Sequence, residues 1–377
     1  MTTASGPGPA HPAREVFLIA NSVDELGGVT TWTHRMARLF TDRGHRVHVV
    51  GIRAAAEEHR QHLGGELPYP TTTLYESGPP RQGRAATMPA QAAKLTALFR
   101  AARPGAVVIV TQVWAMEWVV IADTAGHTVI GMSHESFAAS RASSRLRRCR
   151  TYYAEVDRML ALTREDADLW ISLGGMNNVG HLPNPLPVLP AEPSPRTGRI
   201  VTSIGRLDDQ KGIDMLLEAW AEVAPLHPDW QLHIYGDGDR DEEAALRRQC
   251  WALGLDGSVR WQGRTDDPVA ALRTSSVFVQ SSRYEGFPLA LMEAMATGVA
   301  PVAFDCAPGV REIVRDGQDG LLAPLGNIAL LARQLDVLMS DRALRDRLGQ
   351  AARANIQRYS ADGIVRRWEA LFTFLER

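Results

Sequence analysis

The stretch from Val277 to Asp305, "VFVQSSRYEGFPLALMEAMATGVAPVAFD", reads as strand, loop, helix and strand in close succession. "VFVQSS" is a short apolar run suited to a strand buried on both faces. "LALMEAMA" has the look of a buried helix. Pro288 sits well in its first turn, where a missing N–H costs nothing. "APVAFD" is a second buried strand. A strand, a helix and a second strand in this order make a βαβ unit, and βαβ units build parallel sheets.

The same alternation extends outward on both sides. "GRIVTSIG", "WQLHIYG" and "SVRWQG" precede the quoted stretch, each followed by a helix or a turn. Earlier still, "EVFLIANS", "HRVHVVGI", "AVVIVTQ", "HTVIGMS" and "RMLALT" read as strands of a first series. "TTWTHRMARLFTDRG" follows the first of them at helical period and stops at Gly44. Between the two series lies "GHLPNPLPVLPAEPSPRTG" (180–198), with six prolines. That density suits a semi-rigid linker. The expected organisation is a disordered leader over 1–13 and a first domain over 14–183. A linker over 184–198, a second domain over 199–358 and a C-terminal helix over 359–377 complete it. That helix, "SADGIVRRWEALFTFLE", is amphipathic and expected to pack back on the first domain. The fold class is α/β, with two doubly wound, Rossmann-like parallel-sheet domains. In such sheets ligands bind outside the carboxyl ends of the strands, and two facing domains would form one deep cleft.

Composition bounds the function. The chain has 377 residues, 45% of them hydrophobic and 22% charged, and a net charge of -2. No polyelectrolyte role follows, so no nucleic-acid partner is expected. Residues 1–183 carry 19 basic and 16 acidic residues, or +3; the rest carry 22 and 27, or -5. The front half is the half to meet an anionic partner. Cys149, Cys250 and Cys306 are too scattered for a disulfide framework or a metal knot. "MTTASGPGPAHPAR" has no apolar core of a signal peptide. "AVVIVTQVWAMEWVVIADTA" (106–125) is broken by Gln112, Glu117 and Asp123, and reads as a strand and a short buried helix. A cytoplasmic protein is expected, with peripheral contact to the inner membrane.

Glu285 lies in the loop and Glu293 lies within the following helix, one to two turns in. The amides near Phe287 and Leu289 would be free at that helix start, where the helix dipole suits a phosphate. The two carboxylates could then grip sugar hydroxyls on either side. Spacing alone equally allows a dipole-favoured Glu285 and a solvated Glu293. "GRLDDQKG" (205–212) adds Arg206 and Lys211 in one loop beginning at Gly205, able to neutralise a diphosphate. A solvated turn is the plainer alternative, since Asp208 and Asp209 lie between. "ELGGVTTW" puts Gly27 and Gly28 between the first strand and helix, allowing close backbone approach. It is not a G-x-G-x-x-G fingerprint. "MSHES" places His134 just after a strand, as a structural hydrogen-bonder or a site residue.

With Glu285-x7-Glu293, the "GRL…KG" pair, the Gly-Gly loop and "APGVREIVRDGQDGLL" (307–322) in this order, the chain resembles the retaining GT-B glycosyltransferases. The relevant family is the large bacterial one that includes sucrose synthases and phosphatidylinositol mannosyltransferases. The resemblance runs from about Glu15 to the C-terminus and is specific in the second half. It implies a GT-B fold and transfer of a sugar from a nucleotide-diphosphate sugar, UDP-sugar favoured, to a hydroxyl acceptor. Arg206 and Lys211 would hold the diphosphate, and Glu285 would contact the donor sugar. The backbone from Phe287 through Pro288 to Leu289 would meet sugar and phosphate. Glu293 would bind ribose, and Arg264 would lie near the base. Gly27 and Gly28 would approach the donor phosphate, and His134 the reacting face of the sugar. Cationic groups and helix amides stabilise a leaving diphosphate. In the family the acceptor attacks on the same face and the leaving phosphate takes its proton. No protein nucleophile and no cofactor are expected.

"DGDRDEE" (237–243) superficially resembles a metal-binding DxD, but acids at a helix start explain it; no metal is expected. "SRASSRLRRCR" (140–150) contains no acid, and Arg145, Arg147 and Arg148 suit either a solvated face or an anionic acceptor. Candidate acceptors are a cell-envelope polymer, a lipid carrier or a secondary metabolite. The rival readings are a nucleotide-sugar epimerase, a phosphorylase and a non-catalytic nucleotide-sugar scaffold. The epimerase lacks a dense acid-base set. The phosphorylase would need a pyridoxal-phosphate lysine, and only Lys94 and Lys211 exist.

Overall fold

All pairings between strands in the computed structural model are parallel. It describes residues 12–61, 63, 65–79 and 84–376. The expected leader lies outside the described residues up to residue 11. The chain divides into two units, Met1–Leu182 with Ile364–Arg377, and Pro183–Gly363.

The first unit runs β1 (Glu15–Ala20), α1 (Gly28–Asp42), β2 (Arg46–Arg53), β3 (Thr71–Tyr75), α2 (Arg84–Ala101), β4 (Val107–Val110), α3 (Val113–Val119), β5 (Thr128–Met132), α4 (Phe137–Arg141), α5 (Arg145–Tyr152), β6 (Arg158–Ala161), α6 (Arg164–Ser172) and β7 (Val179–His181). Its seven strands lie in the order β3-β2-β1-β4-β5-β6-β7. The central strands are the most apolar, and all four residues of β4 are buried. Trp118 and Trp170 fill the core, together with Phe17 and Phe99 packed edge to face. The 106–125 stretch forms β4 and then the largely buried α3.

The second unit holds β8 (Ile200–Ile204), α7 (Ile213–Val223), β9 (Gln231–Tyr235), α8 (Arg240–Ala252), β10 (Val259–Gly263), α9 (Pro268–Arg273), β11 (Val277–Gln280), α10 (Leu289–Ala296), β12 (Ala300–Asp305), α11 (Pro308–Ile313), β13 (Leu321–Pro324), α12 (Ile328–Ser340) and α13 (Arg342–Ile356). Its order is β10-β9-β8-β11-β12-β13. In both sheets the order reverses beside the first strand, between β1 and β4 and between β8 and β11. Crevices for ligands open at such points. Trp220, Leu216, Phe304 and Leu335 are fully buried in its core.

Two details differ from the sequence reading. The proline-rich segment has neither helix nor strand from residue 183 to 199, yet it is no free spacer. Ser194 and Arg196 are buried in the second unit, and the Ser194 hydroxyl lies 2.7 Å from the Ser275 carbonyl oxygen. The segment is a strap, because its polar side chains replace the ladder bonds its prolines cannot make. Pro288 caps α10 rather than occupying its first turn: its φ and ψ are -70° and 116°, and the Met292 amide bonds its carbonyl.

The last helix, α14 (Ala361–Leu375), contributes its residues from Ile364 onward to the first unit. Trp368 and Phe372 pack on Phe40 of α1. Buried Glu369 accepts two bonds from Arg43, at 3.1 and 2.8 Å.

Candidate active site

The loop after β8 is shaped by one residue that has to be glycine. Gly212 has φ +60°, and a Cβ there would stand 2.2 Å from the Ser281 carbonyl oxygen. That contact joins the loop after β8 to the loop after β11. The Asp208 carboxylate accepts the Lys211 amide at 3.2 Å and closes the turn. Lys211 then crosses the strand end over Gly205, whose absent side chain leaves room for its stem.

The Lys211 ammonium meets Glu285 Oε1 at 2.7 Å, and the Ser282 hydroxyl donates to the same oxygen at 2.8 Å. Glu285 is 7% exposed and Lys211 is 23% exposed. A carboxylate this enclosed stays charged only with such partners. Cys306, just past β12, lies close enough to feel both. Burial and then the Glu285 charge push its thiol up to about 12, against Lys211. Arg283 makes a two-pronged bond to Asp214 at 2.8 and 2.6 Å, clamping the Glu285 loop to α7. Burial works to raise the Asp214 carboxyl, and the Arg283 bonds outweigh it and lower its pKa.

Past Glu285, Gly286 packs against α11 so closely that a Cβ on Gly309 would stand 1.9 Å from its carbonyl oxygen. Phe287 is buried edge-on against Tyr359, and its carbonyl accepts from Asn184 at 3.3 Å. Pro288, at the N-cap of α10, has no side-chain hydrogen bond to give, so the N-cap leaves the first-turn amides of α10 without a side-chain cap. Glu293 lies on α10 and is half-buried.

The other expected residues are less gathered. Arg206 shares the β8 loop, but its guanidinium is 68% exposed and bonds Asp208 at 3.0 Å. Arg264 follows β10 at the sheet edge, two strands from β8, and is half-exposed. Asp239 caps α8 by accepting the Asp241 amide at 2.9 Å. Among the described residues no three His, Cys, Asp or Glu side chains gather as a metal site.

In the first unit, Gly27 caps α1 with φ +153°, and a Cβ on Gly27 or Gly28 would face open space. A cavity of about 350 Å³ opens at the ends of β1, β4 and β5, lined among others by Asn21, Gln112, Trp114, His134, Glu135 and Ser140. Asn21 Oδ1, His134 Nε2 and Ser140 Oγ are out of solvent and have no hydrogen-bond partner among the described residues. Buried polar atoms are nearly always paired, so three orphans around one cavity mark a place for a polar ligand. Burial lowers the His134 pKa to about 4, and its ring lies edge-on to Trp32 at 4.8 Å. It is therefore neutral near pH 7.

The arginines of α5 are not the acid-free cluster that their local sequence gives. Arg145 pairs with Glu135 at 2.8 Å, and Arg148 pairs with Glu117 of α3. Burial raises the Glu135 carboxyl, with Arg145 opposing. Both arginines line the cavity, whereas Arg147 is exposed and outside its lining.

Sequence reasoning missed Ser282, the Arg283–Asp214 clamp and Cys306. Arg283 and Asp214 are separated by 69 positions, so no local pattern signals their meeting. Ser282 alone had a signal, lying three residues before Glu285.

The two parallel sheets, each with its crevice, are Rossmann-like units, an architecture that many nucleotide-binding proteins share. Comparison with known proteins names the family. The Glycosyl transferases group 1 family matches residues 189–355, and Glycosyltransferase Family 4 matches residues 26–188. The chain belongs to the GT-B glycosyltransferases. An uncharacterized glycosyltransferase of Haemophilus influenzae is 32% identical over 216 residues, covering 57% of this chain and 61% of that protein. The phosphatidyl-myo-inositol mannosyltransferase of Mycobacterium leprae is 37% identical over 187 residues, 48% of each chain. The matched region thus spans less than two thirds of these relatives' length. The fold is shared with Anabaena HepE, solved with UDP and glucose, at TM-score 0.80 and 18% identity, covering 95% of this chain and 99% of that one. It is also shared with S. aureus TarM, solved with UDP among its ligands, at TM-score 0.79 and 15% identity, with the same coverage. No helix among the described residues is long and apolar enough to cross a membrane.

Proposed function

We propose that the protein is a retaining, metal-independent glycosyltransferase that moves a sugar from a UDP-sugar to a hydroxyl acceptor. The observation that carries this reading is the enclosed Lys211–Glu285 pair at 2.7 Å, at the carboxyl ends of β8 and β11. It lies where the strand order reverses, in the loops leading to α10, whose Pro288 N-cap makes no side-chain bond. A diphosphate has a cation and helix amides to meet there, and a sugar has a carboxylate for its hydroxyls.

Lys211 and Arg206 take the diphosphate, with the α10 amides. Glu285 orients the sugar and Glu293 the ribose. Arg264 is assigned to the base, and Gly27 and Gly28, at the start of α1, to the donor phosphates. In the reaction the bond from the anomeric carbon to the phosphate oxygen breaks. The acceptor oxygen bonds the same carbon on the same face, and its proton passes to the leaving phosphate. The cations stabilise the charge that develops there. No side chain needs to act as nucleophile. UDP is favoured because relatives of this fold were solved with it.

The first-unit cavity suits the acceptor. Its two arginines are already paired with carboxylates, and its orphaned Asn21, His134 and Ser140 atoms are neutral hydrogen-bonding groups. That lining supports an uncharged polyol or sugar, with Arg147 left for an anionic extension such as an envelope polymer or lipid carrier.

The test is a thermal-shift panel of UDP, GDP, ADP and dTDP, with EDTA and with a divalent metal. Binding to the native state raises the melting temperature. A shift with UDP in EDTA that is lost in Lys211→Ala is expected. A shift only with metal would overturn metal independence and reopen Asp237 and Asp239. Turnover of the matching UDP-sugar separates the enzyme from a non-catalytic scaffold, and the product anomer by NMR tests retention.

A further inference from the structure

A second cavity, of about 380 Å³, lies in the second unit away from the Lys211–Glu285 pair. Arg196, Arg199, His227, Trp230, Arg342 and Arg345 are in its lining. Arg199 directly precedes β8 and Trp230 directly precedes β9. The cavity is therefore at the amino ends of the strands, opposite the carboxyl ends that carry the candidate donor site.

Its charges do not balance. Arg199 pairs with Asp229. Arg196 and Arg342 share a single carboxylate, Asp346, at 2.9 and 3.6 Å. His227 is engaged by Asp336 at 2.7 Å. Among the described residues no carboxylate comes within ion-pair distance of Arg345. Four guanidiniums and His227 face three carboxylates, Asp229, Asp336 and Asp346, and Asp341 acts on Arg345 from beyond ion-pair distance, so the cationic groups are in excess.

Arg345 is the most telling of them. It is 6% exposed, and its Nε has no hydrogen-bond partner among the described residues. A buried, uncompensated guanidinium is costly, and a half-satisfied one more so. Its position is nonetheless fixed. Its Nη1 donates to the Leu338 carbonyl at the end of α12, and its guanidinium lies 5.2 Å over the Trp230 ring. Arg196 is fixed as well, donating from Nη1 to the Gly298 carbonyl at 2.9 Å. These groups are preorganised around an unmet demand for negative charge.

We propose that this cavity binds a phosphoryl dianion. The excess of cationic groups suits an anion, and several guanidiniums around one small space suit the three oxygens of a phosphoryl group. The lining offers no free aromatic face for a base, since Arg345 covers Trp230. The ligand is therefore inorganic phosphate or a small phosphomonoester rather than a nucleotide.

Isothermal titration at constant ionic strength tests this, using inorganic phosphate and glycerol 3-phosphate as probes and chloride as the control. The proteins are wild type, Arg199→Gln, Arg342→Gln and Lys211→Ala. Arg199 and Arg342 are mostly exposed, so their substitution leaves the fold standing. Lys211→Ala removes phosphate binding at the candidate donor site. One-site phosphate binding that persists in Lys211→Ala and weakens about tenfold or more in Arg342→Gln or Arg199→Gln is expected. Tighter binding of glycerol 3-phosphate assigns the site to a phosphomonoester, and equal or weaker binding assigns it to free phosphate. Binding that vanishes in Lys211→Ala and is untouched in both arginine variants overturns the proposal. So does the lack of saturable binding of either probe.

Discussion

Lys211→Ala separates what the ion pair does for the fold from what it does for the ligand. In the free protein the substitution leaves Glu285, 7% exposed, with the neutral Ser282 hydroxyl still donating to it. Breaking a fully buried pair costs about 3–5 kcal/mol. Lys211 retains 23% exposure, so water reaches the vacated space and about 2 kcal/mol is the better figure. For a unit of this size that lowers the melting temperature by roughly 4–8 °C. Removing the stranded charge as well, in Lys211→Ala/Glu285→Gln, should recover most of the loss, because an unpaired buried charge is the main penalty. Ligand binding should behave in the opposite way. One charge-assisted contact to a diphosphate contributes about 2–3 kcal/mol, so the UDP dissociation constant should rise roughly 30–150-fold in Lys211→Ala. The double variant should not recover it. Calorimetric melting and UDP titration on the four proteins of the cycle give both readouts. If UDP affinity is unchanged in Lys211→Ala, or returns in the double variant, the pair is a structural bridge and the proposed donor site is wrong.

Gly212→Ala would strain a φ of +60° and drive a Cβ to 2.2 Å from Ser281, so a stability loss of about 2 kcal/mol or more in urea unfolding is expected, along with weaker UDP binding. His134, with a folded pKa of about 4 against an unfolded value of about 6.5, binds fewer protons when folded. Its contribution is complete above pH 6.5 and is lost as pH falls toward 4, by no more than about 3 kcal/mol. His134→Gln should flatten stability over that window relative to wild type, and an unchanged slope would refute the assignment. Arg145→Gln/Arg148→Gln should raise the acceptor KM several-fold while the UDP-induced thermal shift stays as in wild type. Loss of the UDP shift instead would remove the acceptor reading of that cavity.

The central strands were legible because they are buried on both faces and read as continuous apolar runs, as "EVFLIA" does for β1. The strands that escaped notice are β3, β7 and β13, each at a sheet edge. "TTTLY", "VGH" and "LLAP" are short, and an edge strand has one neighbour and less need for apolar residues. The donor motif was readable because its parts are local: Lys211 follows β8 by seven positions, and Glu285 follows β11 by five. What completes each part was not local. Glu135 and Glu117 neutralise two arginines from outside the stretch 140–150, so a cluster that reads as basic is half-compensated in space. Over 184–198 proline density reported the lack of regular structure, and the packing of Ser194 and Arg196 had no signal in it.

The glycines explain how residues 74 positions apart come to share one ion pair. A Cβ on Gly236 would stand 1.8 Å from the Gly205 carbonyl oxygen, and one on Gly238 would stand 2.2 Å from that of Leu207. Gly212 and Gly309 make equally close approaches to Ser281 and Gly286. The loops after β8, β9, β11 and β12 are thereby locked backbone to backbone, which holds Lys211 and Glu285 before any ligand arrives. On the proposed reading such locking favours electrostatic catalysis, since the charges would need little rearrangement when the bond breaks. It also explains the resting pair. On that reading, each charge partners the other until a diphosphate engages the ammonium and sugar hydroxyls engage the carboxylate. The exchange replaces one satisfied arrangement with another and leaves neither charge stranded.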